Sequence, residues 1–381
     1  MPGKNSLLLS AFLILAMTAC STPYAVLDSL SARELSIEQA RALAGRLSPL
    51  PQGLENWKAL AFTLDQSLSY LENRPEGESL ALPGKTGLRL TREGMRAGLL
   101  RLKEILPYLD INPGLLAEEF IWLRLDPNFG FSGYYEPTIL ADYQEGPVYG
   151  QPLYSLPPDL RAGTQYHDRR RIDREKVLAG RGLELAWIQD EVDAFYLQIQ
   201  GSGRLIFPDG RVKHALYAGK NGHPYVSLGR VLRERGHMKP EEISMPGIRA
   251  FLREHPELRE ELLDSNPSYV FFRLEDEGPV GGMNRLLTPW VSLATDQALL
   301  PYGSLVFFQV RLPDRSGAHT GEIQALGLPQ DRGGAIRGRR IDWFTGAGRE
   351  AEHLAGYLNS PGEIYLLLPH PEGSFTGSAG N

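Results

Sequence analysis

The chain has 381 residues, 42% of them apolar, and a formal charge of −6 at pH 7. That length accommodates one large domain or two ordinary ones, and the apolar share excludes wholesale disorder. Net negative charge argues against a protein held on nucleic acid by phosphate neutralisation. With 41 glycines and 28 prolines, the composition favours a turn-rich, mainly β fold with peripheral helices.

Residues 1–19 carry Lys4 and then an apolar run from Leu7 to Ala16. The run is too short for a permanent membrane span and has the form of an export signal. Thr18 and Ala19 precede Cys20, the only cysteine. The arrangement resembles a bacterial lipobox, which implies a lipid on the Cys20 sulfur and membrane attachment through it. Ser21 at the next position implies the periplasmic face of the outer membrane. Losing residues 1–19 removes one lysine and no acid, taking the charge from −6 to −7. A single cysteine excludes an intramolecular disulfide, so packing must stabilise the fold.

Beyond the leader, Ser36 and Gln39 form a capping-box pattern ahead of Ala40 to Leu43. Leu54, Trp57, Leu60, Ala61, Leu64, Leu68 and Leu71 recur at helical spacing, with Trp57 as core. Residues 72–87 read as a loop, and a helix over 92–106 is expected to stop at Pro107. Strand texture begins at 129 with FGFSGYYEPTIL. EVDAFYLQIQGSGRLIF alternates, predicting a strand with Phe195, Leu197 and Ile199 on one face and Tyr196, Gln198 and Gln200 on the other. Asp209–Gly210 predicts a hairpin turn. Helices are expected at 226–236, 246–254 and 256–264 and strands at 269–272, 304–312, 322–326 and 364–368, with a last helix at 349–358. This order suggests a discontinuous barrel domain, 20–134 and 245–370, with a smaller β-rich domain, 135–244, inserted in it. The tail, 371–381, is expected to be disordered.

The chemistry concentrates in DRGGAIRGRRIDWFTGAG, residues 331–348. Asp331 and Asp342 lie on either side of Gly333–Gly334, and Asp296 lies upstream in SLATDQALLPYGSLV. Carboxylates are the usual proton donors and acceptors for cutting glycosidic bonds. Gly333 and Gly334 are expected to take positive φ or to let a sugar ring approach the backbone. Asp342 sits between Ile341 and Trp343–Phe344, and apolar neighbours raise a carboxyl pKa toward the range where it donates near neutrality. Tyr134, Tyr135, Gln200, Ser202, Lys220, Asn221 and Trp343 are candidate sugar-binding residues, offering stacking faces and hydrogen-bonding groups. Alternation turns one of Tyr134 and Tyr135 toward the core. Glu136 is a candidate second acid. The clusters Arg169–Arg171 and Arg337/Arg339/Arg340 read as solvated loops. The histidines lack metal-ligand spacing and no P-loop or dinucleotide motif occurs, so neither metal nor cofactor is expected.

FSGYYEP, QIQGSGRL, YAGKNGHPY, NPSYVFF, ATDQALLPYGSLV and DRGGAIRGRRIDWFTGAG occur in this order. Together they resemble the membrane-bound lytic murein transglycosylase A family over about residues 125–368, including its 3D domain, named for three aspartates, at 290–368. The resemblance implies a double-psi β-barrel catalytic domain, an inserted smaller β-domain and a glycan groove between them. It implies peptidoglycan glycan strands as the ligand and a cell-wall synthesis or division complex as a further partner. It also implies cleavage of the β-1,4 bond between N-acetylmuramic acid and N-acetylglucosamine, leaving 1,6-anhydromuramic ends. By motif position Asp342 is implied as the catalytic acid/base, with Asp331 and Asp296 supporting it. Two positions depart from the pattern. Arg332 stands where relatives commonly carry a β-branched residue, and Pro329 interrupts the strand entering the turn. The residues leave two other readings open: a non-catalytic glycan-binding wall lipoprotein, and an inverting muramidase in which Asp331 activates a water.

Overall fold

The structure, a computed structural model, describes residues 29–161 and 163–370. The expected leader, the lipidation position Cys20 and the tail 371–381 lie outside the described residues.

The chain opens with β1 (Ser31–Glu34), α1 (Ile37–Ala44), α2 (Ala61–Glu72), β2 (Ser79–Ala81), β3 (Arg89–Thr91), α3 (Arg92–Leu109) and α4 (Leu115–Glu119). A long strand, β4 (Phe120–Glu136), then leads into β5 (Thr138–Asp142), β6 (Gln151–Tyr154), α5 (Arg169–Asp173) and β7 (Glu184–Ile188). Next come α6 (Glu191–Gln200), β8 (Ser202–Ile206), β9 (Val212–Lys220), α7 (Leu228–Glu234), α8 (Met245–Glu254), α9 (Pro256–Asp264) and β10 (Val270–Glu275). The last part holds β11 (Ser292–Ala294), β12 (Val306–Pro313), β13 (His319–Asp331), β14 (Arg340–Ala347), α10 (Arg349–Tyr357) and β15 (Asn359–Pro369).

These elements make a mixed α/β fold with two main sheets and the β2–β3 ribbon. In the first sheet the order is β1-β4-β14-β11-β13-β12-β15, and β15 pairs again with β4. The hydrogen-bonded pairings from β4 through β15 therefore return to their starting strand. Two of them, β4–β14 and β11–β13, are parallel. The second sheet runs β10-β9-β8-β5-β7-β6. It takes β10 from beyond the expected boundary at 244, because Val270–Glu275 pairs along β9.

Alternation along β12 explains the two layers of core. Val306, Phe308 and Val310 pack inside the first sheet with Phe131, Ile341 and Trp343. Phe307 points the other way, against Trp122, where α2, the turn before it and α3 bury Leu60, Leu64, Leu99 and Leu102. Each such leucine contributes about 2 kcal/mol by leaving water. The helix expected to stop at Pro107 runs on to Leu109, since the proline lies in its last turn and Leu106 and Leu109 are buried there.

The expected strand over 191–200 is instead the helix α6. Asp190 caps it by accepting the Val192 N–H, and Gly201 ends it at φ 82, a conformation glycine takes without strain. Its apolar residues look alternating because the helix is buried on two sides. Ala194 and Leu197 pack on the second sheet, while Val192, Phe195 and Tyr196 pack under α7, α8 and α9.

Candidate active site

Asp342 on β14 lies beside Ser132 on β4 and Ala294 on β11, and Ala294 faces Asp331 on β13. Neighbouring strands are about 4.8 Å apart, so the two acids sit roughly 10 Å from each other across the row. Along β14, Ile341 and Trp343 turn into the interior. Asp342 and Phe344 turn outward, where Phe344 packs with Tyr134, Leu287, Ala294 and Ile336.

A bulge sets Asp331 in this row. Leu293 pairs with Pro329 but Ala294 pairs with Asp331, leaving Gln330 as the extra residue. Pro329 lies past Gly327, where pairing of β13 with β12 ends. Leu328 N–H donates to Val291 O, so the next donor position faces the side with no partner strand. The proline that interrupts the sequence pattern thus removes no ladder bond.

The three aspartates are held differently. Asp342 accepts one hydrogen bond, from Ser132 Oγ to Oδ1 at 2.8 Å. Burial pushes its pKa up to about 6, against the opposing effects of Ser132 and Arg340 and with a further push from Asp331. Asp331 accepts three: Tyr134 Oη to Oδ2 at 2.8 Å, and the N–H groups of Gly282 at 2.7 Å and Arg332 at 2.8 Å to Oδ1. Burial raises its pKa too, with those donors opposing. Asp296 accepts the Gly338 N–H at 2.7 Å and the Ala298 N–H at 3.1 Å. It thereby ties its own turn to the segment joining β13 to β14.

Several expected sugar-binding residues are placed elsewhere. Tyr134 and Tyr135 are both buried, rather than one of them. Tyr134 reaches Asp331, while Tyr135 Oη donates to Glu352 Oε1 at 3.1 Å under α10. Trp343 is fully buried, edge-on to Phe308 and Trp290, and belongs to the core. Asn221 is also fully buried. Its Nδ2 donates to His167 O and Pro267 O, and its Oδ1 accepts from Tyr269 N–H at 2.9 Å. An amide satisfied in this way has nothing left for a ligand. Gln200 Oε1 accepts the Tyr135 N–H at 3.0 Å, bridging α6 to β4. Ser202 is buried in β8, and Lys220 is exposed at the end of β9. Gly333 and Gly334 do not take positive φ, which falls to Gly338 instead. At Gly333 the requirement is space, since a Cβ would meet Ile336 at 2.7 Å.

Glu136 is not a second acid of this site. Its Oε1 lies 2.6 Å from His214 Nδ1, and its Oε2 lies 3.5 Å from Arg204 Nε, at the junction with the second sheet. Arg169 is buried rather than solvated. It donates to Asn266 O, Ser268 O and Gln198 Oε1 between the rings of Phe195 and Tyr269. Residues not singled out from sequence include Ser132, Tyr217 and Tyr225, and Arg340, read there only as a solvated loop residue, acts on Asp342. Ser132 was legible, lying two residues before Tyr134 on the same strand face. Tyr217 and Tyr225 are exposed on the second sheet's side and sense the charges of Arg332 and Arg340 on the first. No local pattern announces that proximity.

Two aspartates on strands either side of β11, a third in the turn that follows it, and a second sheet inserted after β4 define a class. The family model for the MltA specific insert domain matches residues 130–273, and that for the 3D domain matches residues 291–368. The chain belongs to the membrane-bound lytic murein transglycosylase A family. It is 36% identical over 252 residues to the membrane-bound lytic murein transglycosylase A of Escherichia coli (strain K12), covering 64% of this chain and 67% of that one. A solved membrane-bound lytic murein transglycosylase from Agrobacterium tumefaciens is similar at TM-score 0.74 and 30% identity, over 89% of this chain and 98% of that one. A structure of E. coli MltA with bound chitohexaose is similar at TM-score 0.69 and 28% identity, over 82% and 90%. Among the described residues no helix is long and apolar enough to cross a membrane.

Proposed function

We propose that this protein cleaves the β-1,4 bond between N-acetylmuramic acid and N-acetylglucosamine in peptidoglycan, with Asp342 as the single acid and base. The protonated Asp342 carboxyl donates to the bridging oxygen as the bond to C1 breaks. The carboxylate then takes the proton of the muramic C6 hydroxyl, whose oxygen bonds to C1. The products are a 1,6-anhydromuramic end and a free 4-hydroxyl on N-acetylglucosamine, with no water consumed. Because the nucleophile belongs to the same sugar, its attack has a large entropic advantage.

The contrast between the two outward-facing acids carries this reading. Asp342 has one hydrogen-bond donor and a pKa pushed up to about 6, which suits a proton donor. Both oxygens of Asp331 are occupied by donors, so it is poorly placed to activate a water as an inverting hydrolase requires. We assign Asp331 to positioning, through Tyr134 and the Gly282 loop, and Asp296 to ordering the loop that precedes β14. We take the returning strand circuit to be the double-psi barrel, with the glycan groove between it and the second sheet. That division puts 135–275 in the inserted domain. The relatives named membrane-bound support attachment to a membrane, and we assign that attachment to Cys20 at the periplasmic face of the outer membrane on its lipobox-like setting.

Mass spectrometry of peptidoglycan digested by the purified protein and then reduced tests the reaction. Anhydro ends, lighter than reduced ends by one water and two hydrogens, are expected. Asp342→Asn should fold and lose at least about 1,000-fold in turnover. Reducing ends would indicate the muramidase, and an absence of products the glycan-binding lipoprotein.

A further inference from the structure

Asp331 owes its place in the row to the bulge at Gln330, and that bulge is fastened from outside the sheet. Gln330 is fully buried. Its Oε1 accepts the Ser292 hydroxyl at 2.5 Å, and its Nε2 donates to Thr63 O at 3.0 Å and to Ser67 Oγ at 2.8 Å. Both amide hydrogens are thereby used, together with the carbonyl oxygen. Ser292 lies on β11, and Thr63 and Ser67 lie one turn apart on α2. The main chain of Gln330 is engaged as well. Its carbonyl accepts the Met283 N–H at 3.2 Å, next to the Gly282 N–H that holds Asp331. A second buried glutamine joins the helical layer to the same strand, four residues earlier. Gln52 Oε1 accepts the Leu326 N–H, and its Nε2 donates to Leu326 O and Trp290 O. Leu326 stands in the regular ladder with β12, opposite Phe307, so Gln52 grips no bulge.

The extra residue of a bulge has no partner across the ladder, so strand pairing alone does not fix which residue it is. A slip by one position would turn Asp331 to the opposite face, away from Tyr134 and the Gly282 N–H. The Ser292 hydroxyl, the Thr63 carbonyl and the Ser67 hydroxyl together call for a side chain that both accepts and donates. Pro329 offers neither, and an ionised Asp331 only accepts. We infer that Gln330 is a positioning residue for the cleavage reaction: its amide, gripped by α2 and Ser292, locks the bulge that aims Asp331 at Tyr134 and the Gly282 loop. A helix that supplies none of the three aspartates thereby helps to set the site. The inference rests on the proposed cleavage and on the positioning role given there to Asp331, and it assigns no proton to Gln330.

The test is a kinetic double-mutant cycle on the full chain with soluble glycan strands, at a temperature where every variant is folded by circular dichroism. Gln330→Met keeps the length of the side chain and removes its bonds. It should lower kcat about tenfold or more and leave KM within about twofold, because the loss is one of aim rather than of binding. The descending limb of its pH–rate profile should move to lower pH, since a displaced Asp331 no longer helps to push Asp342 up. In an Asp331→Asn background the same change should alter kcat by less than about twofold. Gln52→Met is the control: it loosens the same layer from the same strand and should leave kcat within about twofold of the parent. If Gln330→Met does not fold, Ser67→Ala replaces it, with about a threefold loss of kcat expected that vanishes in the Asp331→Asn background. A Gln330→Met loss no larger than that of Gln52→Met overturns the inference, as does a loss that multiplies with that of Asp331→Asn or an unchanged kcat in Ser67→Ala. Asp342→Asn, run alongside, reports on the cleavage scheme. Turnover retained there rejects the scheme and this inference with it, whereas turnover lost there, with Gln330→Met behaving like Gln52→Met, rejects this inference alone.

Discussion

At the scale of single residues, the chemistry depends on how many donors each carboxyl holds. Among the described residues Ser132 Oγ is the only donor to Asp342, and it favours the ionised form. Removing it lets burial act with less opposition, so the pKa rises. The acid must start protonated, so kcat/KM is expected to fall as pH rises through about 6, the value for the parent Asp342. In Ser132→Ala that descending limb should move upward by roughly one pH unit, equivalent to about 1.4 kcal/mol. A pH–rate profile checks this, and an unmoved limb with lowered activity would make Ser132 a spacer only. Asp342 itself was readable from its motif and its apolar flanks. Trp343, next to it, was misassigned to sugar contact because composition does not say which face of a strand is the interior.

At the scale of elements, local pattern misled where burial came from two directions. The alternation over 191–200 fitted a strand, yet Asp190, which starts the helix as its cap, and Gly201, which ends it, were helix-boundary signals present in the sequence. They were outweighed because apolar residues face both the second sheet and the α7–α9 layer. Asn221 illustrates the same limit for a polar residue. It looked like a turn amide open to ligand, but it closes the end of β9 by holding carbonyls from residues 167 and 267. Asn221→Ala should therefore cost about 3 kcal/mol, since buried backbone groups lose their partners. Urea denaturation measures this, and kcat/KM of the folded variant is expected to stay within about threefold of the parent. A raised KM with unchanged stability would restore the ligand-contact reading.

At the scale of the whole molecule, one strand relates the two sheets. Successive residues on one face of β4 are Ser132, bonded to Asp342, then Tyr134, bonded to Asp331, then Glu136, bonded to His214 of β9. Glu136 and His214 are both buried, at the place where the chain leaves the first sheet. Glu136→Leu should cost about 2–3 kcal/mol by leaving the imidazole unpaired, and Glu136→Leu/His214→Leu should cost less than the single change. Equal or additive losses in a denaturant double-mutant cycle would remove this pair as the fastening between sheets. Sequence by itself determined the order of blocks, the three aspartates, the hairpin at Asp209–Gly210 and most of the helices, because each is written in neighbouring residues. Only the tertiary structure decided that β10 belongs to the second sheet and that Asp331 is held by Tyr134 and the Gly282 loop. These facts join positions dozens to about two hundred residues apart, and their physical cause is strand pairing and burial across sheets, which no local spacing encodes.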